Sequence, residues 1–253
     1  MSDKDSIVGS SLIERALSVL DYIAHSPGSV SILDISTALG IPTATVHRIL
    51  QTLKETHYVC QLDNKQYGIT YKLLESASNI TLNDPLVNAV YPFMCYYAVR
   101  KGCQVGLSVF FGSSSILHLA VVGSAGRFND RFGLPGTVLP AYCTAAGKVF
   151  LSLMSDEELD AWLEANSLIP RTSHTIICPD ELRRQIGETR VRGYGIVISE
   201  LYEDIACLSV PISNSQNTVI GTLNFSICPE RFETLNTPEF VDDVRSKLKK
   251  INF

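Results

Sequence analysis

Long apolar runs are missing from this 253-residue chain: hydrophobic residues make up 45% of it, yet no stretch of 18 uninterrupted apolar positions occurs. A membrane-spanning helix needs about 20 such positions, so the composition predicts a soluble globular protein with no membrane partner. The opening MSDKDSIVGSS is acidic and polar and lacks a basic segment leading into an apolar core. No secretory signal is read there, and the cytoplasm is the expected compartment. Paired cysteines are missing too. Seven cysteines, at 60, 95, 103, 143, 178, 207 and 228, are scattered through apolar surroundings without a C-x-x-C pair. Buried reduced thiols are expected rather than disulfides or zinc, and neither a metal nor a cofactor is implied.

A surplus of positive charge is also absent. Lys and Arg number 21 against 26 Asp and Glu, a net of −5, and residues 1–76 alone hold six basic against eight acidic residues. Any nucleic-acid contact must then rest on a few well-placed cations and on dimerisation rather than on a basic field. The main enzyme signatures fail as well. A phosphate loop ending at Gly147-Lys148 would need a glycine at 142 and a hydroxyl at 149, where the chain has Tyr142 and Val149; no G-x-S-x-G elbow and no H-E-x-x-H helix occurs. A nucleophilic pair of Cys143 with His118 or His174 stays open, against the plainer reading of a buried thiol and a surface histidine. Glu200, Glu203 and Asp204 read as a solvated acidic loop, with cation binding the alternative.

What is present begins with GIPTATVHRILQTLKE, Gly40 to Glu55. Val46, Ile49, Leu50 and Leu53 keep the spacing of a helix with one buried stripe. Thr43, Thr45, His47, Arg48 and Gln51 fall on its flanks or opposite side, a row of hydrogen-bonding groups suited to base edges. A second helical pattern, Ser31 to Leu39, lies just upstream across Gly40-Ile41-Pro42, the spacing of a helix-turn-helix; an ordinary helical hairpin is the bland alternative. Ser31 suits an N-cap, with Asp34 three residues on. An earlier helix is expected from Ser11 to His25, stopped by Ser26-Pro27-Gly28. His57 to Leu62 and Gln66 to Ile69, joined at Asp63-Asn64-Lys65, read as a hairpin. Three helices and a hairpin make a winged helix-turn-helix whose tip residues, Asn64 and Lys65, could meet a phosphate or a minor groove; a hairpin that merely caps a core is equally open.

Tyr71 to Ser78 is helical again, and Asp84-Pro85 restarts a helix that runs to Gly102. Beyond it the texture turns to strands at Gln104 to Phe111 and Ile116 to Val122, with a loop from Gly123 to Gly136 holding Arg127, Asp130 and Arg131. Helices are expected at Thr144 to Met154, Asp156 to Asn166 and Pro179 to Arg192, then strands at Ile205 to Ile212 and Thr218 to Ile227. The expected division is a winged helix-turn-helix at 1–70, a linker helix at 71–83 and an α+β domain with an antiparallel sheet at 84–253.

SLIERALSVLDYI, the GIPTATVHRILQTL helix, YGIT-YKLLE, LPAYCTAAGK, ETRVRGYGI and IACLSVPI, in that order, together resemble the IclR-type transcriptional regulators over nearly the whole chain. The resemblance implies a winged helix, a linker helix and a GAF-like effector domain. It further implies homodimers or homotetramers that bind double-stranded DNA at a pseudo-palindromic operator and control a catabolic operon, most often as repressors, in response to a small organic acid. Thr43, Thr45, His47 and Arg48 fall where the family's recognition helix meets the major groove, though the family usually has a basic or polar residue at 43 and a serine at 44, here Thr43 and Ala44. TAAGK puts Thr144, Ala145, Ala146 and Gly147 at a loop-to-helix junction able to seat a carboxylate, with a plain N-capped helix the alternative. Ligand positions implied on facing strands are Cys207, Asn224 and Ser226. Val197 stands where members that bind short keto acids carry aspartate, Tyr142 where many have histidine, and Asp204 and Ala206 replace the usual glycine and arginine. A more apolar wall favours a ligand larger than a two- or three-carbon acid. The competing reading is a small-acid-binding module or cryptic enzyme whose winged helix makes protein contacts only.

Overall fold

Ser11 opens the first helix because its hydroxyl accepts the Glu14 N–H while the Glu14 carboxylate accepts the Ser11 N–H. The result is α1, Leu12–His25, in a computed structural model that describes residues 11–123 and 133–251. The stretch before residue 11, and Arg127, Asp130 and Arg131, lie outside the described residues. Contacts divide the chain into two units, Met1–Ile80 and Thr81–Phe253.

In the first unit the same device repeats at α2, Ile32–Leu39, where Ser31 and Asp34 form a second capping box. The Ser31 N–H and then its hydroxyl hold the Asp34 carboxyl below its ordinary range. Gly40 ends α2 in the left-handed region, at φ 66°, a conformation that costs a residue with Cβ. The chain then enters α3, Thr43–Glu55. Strands β1, Val59–Gln61, and β2, Tyr67–Ile69, pair antiparallel, and an isolated bridge joins Val30 to Tyr67. Val19, Ile23, Ile35, Ile41, Val46, Ile49, Leu50 and Val59 close the core beneath them. This is a winged helix. A fourth helix, α4, runs from Lys72 to Asn83, five residues beyond its expected end. It stops where Pro85 biases Asp84 away from helical geometry, at ψ 118°.

The second unit starts with α5, Pro85–Lys101, capped by the Asp84 carboxylate on the Val87 N–H. Its antiparallel sheet is built from β3, Gln104–Phe111; β4, Ser115–Val122; β5, Val138–Pro140; β6, Gly195–Ile198; β7, Ala206–Ser213; and β8, Val219–Ile227. The order is β5-β4-β3-β8-β7-β6. Alternation gives this sheet two unlike faces. Val105, Leu107, Leu208, Val210, Leu223, Phe225 and Ile227 form one core with α5 and with α9, Pro238–Leu248. The intervening positions, Gly106, Ser108, Cys207, Ser209, Thr222, Asn224 and Ser226, are small or polar. Packed against β6, β7 and β8 is α6, Ala145–Leu151, with α7, Asp156–Ala165, and α8, Pro179–Arg192, following it.

Several expectations change. Helix α6 ends at Leu151, short of the expected Met154, because the Ser152 hydroxyl donates to the Val149 carbonyl and the chain turns to make Ser155 the cap of α7. The strands β5 and β6 and the helix α9 went unread, the strands because three or four residues carry too little alternation. All seven cysteines are free thiols, but only Cys103 and Cys143 are buried; Cys60, Cys95, Cys207 and Cys228 are half-buried and Cys178 is exposed. Replacing Ser31 with alanine removes one cap bond, and the first unit should lose about 1 kcal/mol. A thermal melt followed by circular dichroism should show the drop; an unchanged midpoint would mean that the cap carries no weight.

Candidate recognition helix and interior cavity

Val46, Ile49 and Leu50 pin α3 to the core, which leaves Thr43, His47, Arg48 and Gln51 exposed. At about 100° per residue these four share one outward arc, with Thr45 half-buried on its flank. Pro42 gives α3 no side-chain cap and its first turn carries no acid, so no carboxylate competes with a phosphate there. The Gln51 amide donates to Glu55 Oε1 at 2.9 Å, an exposed bond that can be exchanged. At the wing, Asn64 Oδ1 accepts the Gln66 N–H and its Nδ2 donates to Gln66 Oε1. Asn64 therefore shapes the tip, and Lys65, at φ 62° and exposed, projects from it.

In the second unit an interior cavity lies against the polar face of the sheet. Thr144, Ala145 and Ala146 at the start of α6, Val197 of β6, Cys207 of β7, and Asn224 and Ser226 of β8 all line it. Ile116, His118, Leu139, Cys143, Leu201, Tyr202 and Ile205 extend the wall, together with Gln104. No Asp, Glu, Lys or Arg stands among these lining residues. The cavity volume is about 60 Å³, room for about four to six waters at about 10–15 Å³ each.

Two expected contacts lie elsewhere. Tyr142 turns away, its hydroxyl donating to the Ile169 carbonyl at 2.6 Å. It lines a separate groove with Trp162 and Arg171. Gly147 faces the backbone of Ala141: a Cβ there would stand 2.1 Å from the Ala141 oxygen. Gly195 answers it from the strand side, where a Cβ would come 2.1 Å from the Ala145 oxygen. Both glycines serve the close seating of α6, not the cavity. Thr144 uses its hydroxyl as a cap, accepting from the Gly147 N–H and donating to the Pro140 carbonyl.

The acidic cluster also resolves differently. Glu200 is no solvated residue: it is buried against Lys148, itself wholly buried in α6, with Nζ 2.5 Å from Glu200 Oε1 and 2.7 Å from Gln185 Oε1. Burial holds Lys148 below and Glu200 above their ordinary ranges, and their mutual attraction opposes both shifts. Glu203 meanwhile takes the Ser173 N–H.

Sequence reasoning weighs His118 only as a partner for Cys143 and misses Ser108, although the two pair across the sheet, Ser108 on β3 with His118 on β4. Burial pushes His118 down to about 4 and the Cys143 thiol up to about 11. Both are neutral at pH 7, and a thiol that keeps its proton does not serve as the nucleophile of a cysteine–histidine pair.

Two outcomes follow. The unfolded chain protonates His118 near 6.5 while the folded protein resists until about 4, so stability should fall as pH drops through that window. His118→Gln should flatten the fall between pH 7 and 5 in urea melts. Glu200 has the opposite tendency but is common to both proteins, so an equal slope in the variant would rule the idea out. Glu200→Ala should cost about 3–5 kcal/mol by stranding the Lys148 charge, while Lys148→Met with Glu200→Leu should restore most of it. Equal loss in the single and double variants would show that charge is not the cause.

Comparison with known proteins agrees with this architecture. Residues 12–63 match the IclR helix-turn-helix domain and residues 87–253 match the bacterial transcriptional regulator IclR C-terminal domain. The HTH-type transcriptional regulator XynR of Escherichia coli (strain K12) is 25% identical over 234 residues, 92% of each chain. The transcriptional repressor IclR of the same strain is 26% identical over 218 residues, 85% of this chain and 78% of its own. An IclR homolog from Microbacterium hydrocarbonoxydans, solved in complex with 4-hydroxybenzoate, shares the fold at a TM-score of 0.76 and 20% identity, over 94% of this chain and 96% of its own. Two family domains in the family's order cover most of the sequence, and the chain belongs to the IclR family of bacterial transcriptional regulators, which are DNA-binding proteins rather than enzymes.

Proposed function

We propose that this regulator represses a catabolic operon in the cytoplasm and responds to a small organic acid held in the cavity of its second unit. The observation that carries the reading is the partly open cavity with a polar floor on the sheet, sized for about four to six waters. At about 30 Å³ of liquid volume per water, that corresponds to a compact molecule of single-ring size. The 4-hydroxybenzoate held by the Microbacterium homolog is of that class, and the relative named transcriptional repressor IclR supports the sign of the regulation.

For DNA, the reading assigns Thr43, Thr45, His47, Arg48 and Gln51 to the major groove and Asn64 and Lys65 to the flanking backbone or minor groove. Arg48 is the residue whose forked guanidinium suits a guanine edge or a phosphate. Two or four copies bound to a pseudo-palindrome would set recognition helices about 34 Å apart, one turn of the duplex. The effector would act by binding unequally to the conformers that do and do not match that spacing. With so few cations in the first unit, specificity falls on a handful of contacts.

Arg48→Ala should weaken binding to an operator obtained by sequence selection by about 5- to 150-fold, the equivalent of 1–3 kcal/mol. Fluorescence anisotropy reads the change, and the melt and oligomeric state should stay as in the parent protein. Unchanged affinity would remove Arg48 from the interface, and failure to select any palindromic site would refute the repressor reading itself.

A further inference from the structure

A chain of buried polar groups crosses the sheet beneath the cavity. The Ser209 hydroxyl of β7 lies 2.6 Å from Asn224 Oδ1 of β8, Asn224 Nδ2 lies 2.6 Å from Ser108 Oγ of β3, and Ser108 Oγ lies 2.7 Å from His118 Nδ1 of β4. Ser209 and Ser108 are wholly buried and Asn224 nearly so. Gly106 leaves the space through which they meet, since a Cβ there would touch both Asn224 and His118 at 3.7 Å.

The direction of the chain follows from counting donors. Ser209 has a hydroxyl proton and, among the described residues, Asn224 Oδ1 as its side-chain acceptor. Reversing the Asn224 amide would leave that buried proton without a partner, at a cost of about 1–3 kcal/mol. With Oδ1 toward Ser209, Asn224 Nδ2 donates to Ser108; His118 Nδ1 is then the side-chain acceptor for the buried Ser108 proton among the described residues, and an Nδ1–H would strand that proton, so Nδ1 is an acceptor. A neutral imidazole with Nδ1 bare carries its proton on Nε2. Burial keeps the ring neutral at pH 7, and His118 is part of the cavity wall.

We propose that His118, fixed by Ser209, Asn224 and Ser108 as the Nε2–H tautomer, is the specificity-determining donor of this cavity and selects effectors that present an acceptor oxygen to it. The class is then a carboxylate, keto acid or phenolate, and an amine of the same shape is refused because it would set donor against donor. Ser108 and Asn224 act as positioning residues, through the tautomer and not by touching the ligand at that point. The proposal rests on the reading of this cavity as the effector site.

Nitrogen-15 NMR of histidine-labelled protein at pH 7 tests the tautomer without any ligand. The expected His118 pattern is a neutral ring with the proton on Nε2, and Ser108→Ala should let the Nδ1–H form appear. An Nδ1–H ring or an imidazolium in the parent protein overturns the proposal. Thermal-shift and calorimetric titration with benzoate and 4-hydroxybenzoate, against benzylamine as a cation of like shape, tests the selection. The acids should bind and the amine should not. His118→Leu should weaken the acids about tenfold or more, while His118→Gln, whose amide keeps a donor at that reach, should retain more of the affinity than Leu does. Acids that bind both variants as they bind the parent, or an amine that binds as well as the acids, would overturn the proposal and leave the effector site standing. Binding of none of the three probes up to their solubility limits removes the effector reading, and this proposal with it.

Discussion

Lys148 and Glu200 meet in the interior of the second unit, almost wholly shielded from solvent. Lys148 sits in a helix all of whose residues are buried, and moving an ammonium into such a place costs several kcal/mol unless a carboxylate is held against it. Glu200 does so from the segment that follows β6, whose next residues, Leu201 and Tyr202, wall the cavity. Thr172 and Thr175 secure the same segment by donating to the carbonyls of Ser199 and Glu200. One ion pair thus ties the helix on one side of the cavity to the segment on the other. Glu200 Oε2 has no protein partner among the described residues, so the pair is held by geometry on one oxygen only.

The seating of α6 imposes the rest. Its backbone comes so near Ala141 on one side and β6 on the other that only glycine fits at 147 and 195. Once the helix is held that close, the sheet cannot fill the space beneath it with large apolar side chains as it does on its other face. Small polar residues at alternate positions of β3, β7 and β8 leave a hollow, and their hydrogen bonds to one another keep the hollow in shape. A polar network so fully paired is rigid, and it turns a gap in packing into a site with a defined donor.

In the first unit the economy is different. Its core is a small set of aliphatic residues closed by capping boxes and a short wing, and its charge balance offers DNA no general attraction. The outward arc of α3 carries the chemistry, on groups that need little support beyond the helix itself.

Much of this was legible from residue patterns. Helix periodicity located α1, α2 and α3, Ser31 with Asp34 marked a helix start, and the outward row from Thr43 to Gln51 is a property of one helix, readable from spacing alone. Ordered blocks from end to end identified the family. The sheet face was partly legible: Cys207, Asn224 and Ser226 were found, while Ser108 and Ser209, which share the same alternation, were not, and His118 was weighed only as a partner for Cys143. Tyr142 and Gly147 enter the expected site through the resemblance alone, Tyr142 standing where many members have histidine and Gly147 within TAAGK. Glu200 was read as solvated from its acidic neighbours.

Most of the helices and the longer strands, with the residues they expose, follow from short-range periodicity and capping and are readable along the chain; β5, β6 and α9 are not. Folding in three dimensions brings Asn224 to Ser108, and through it to His118, seats Lys148 against Glu200, and presses Gly147 onto Ala141 rather than onto a ligand. These depend on which strands lie side by side and on how near a helix approaches them, and such pairings between distant segments leave no local pattern to read.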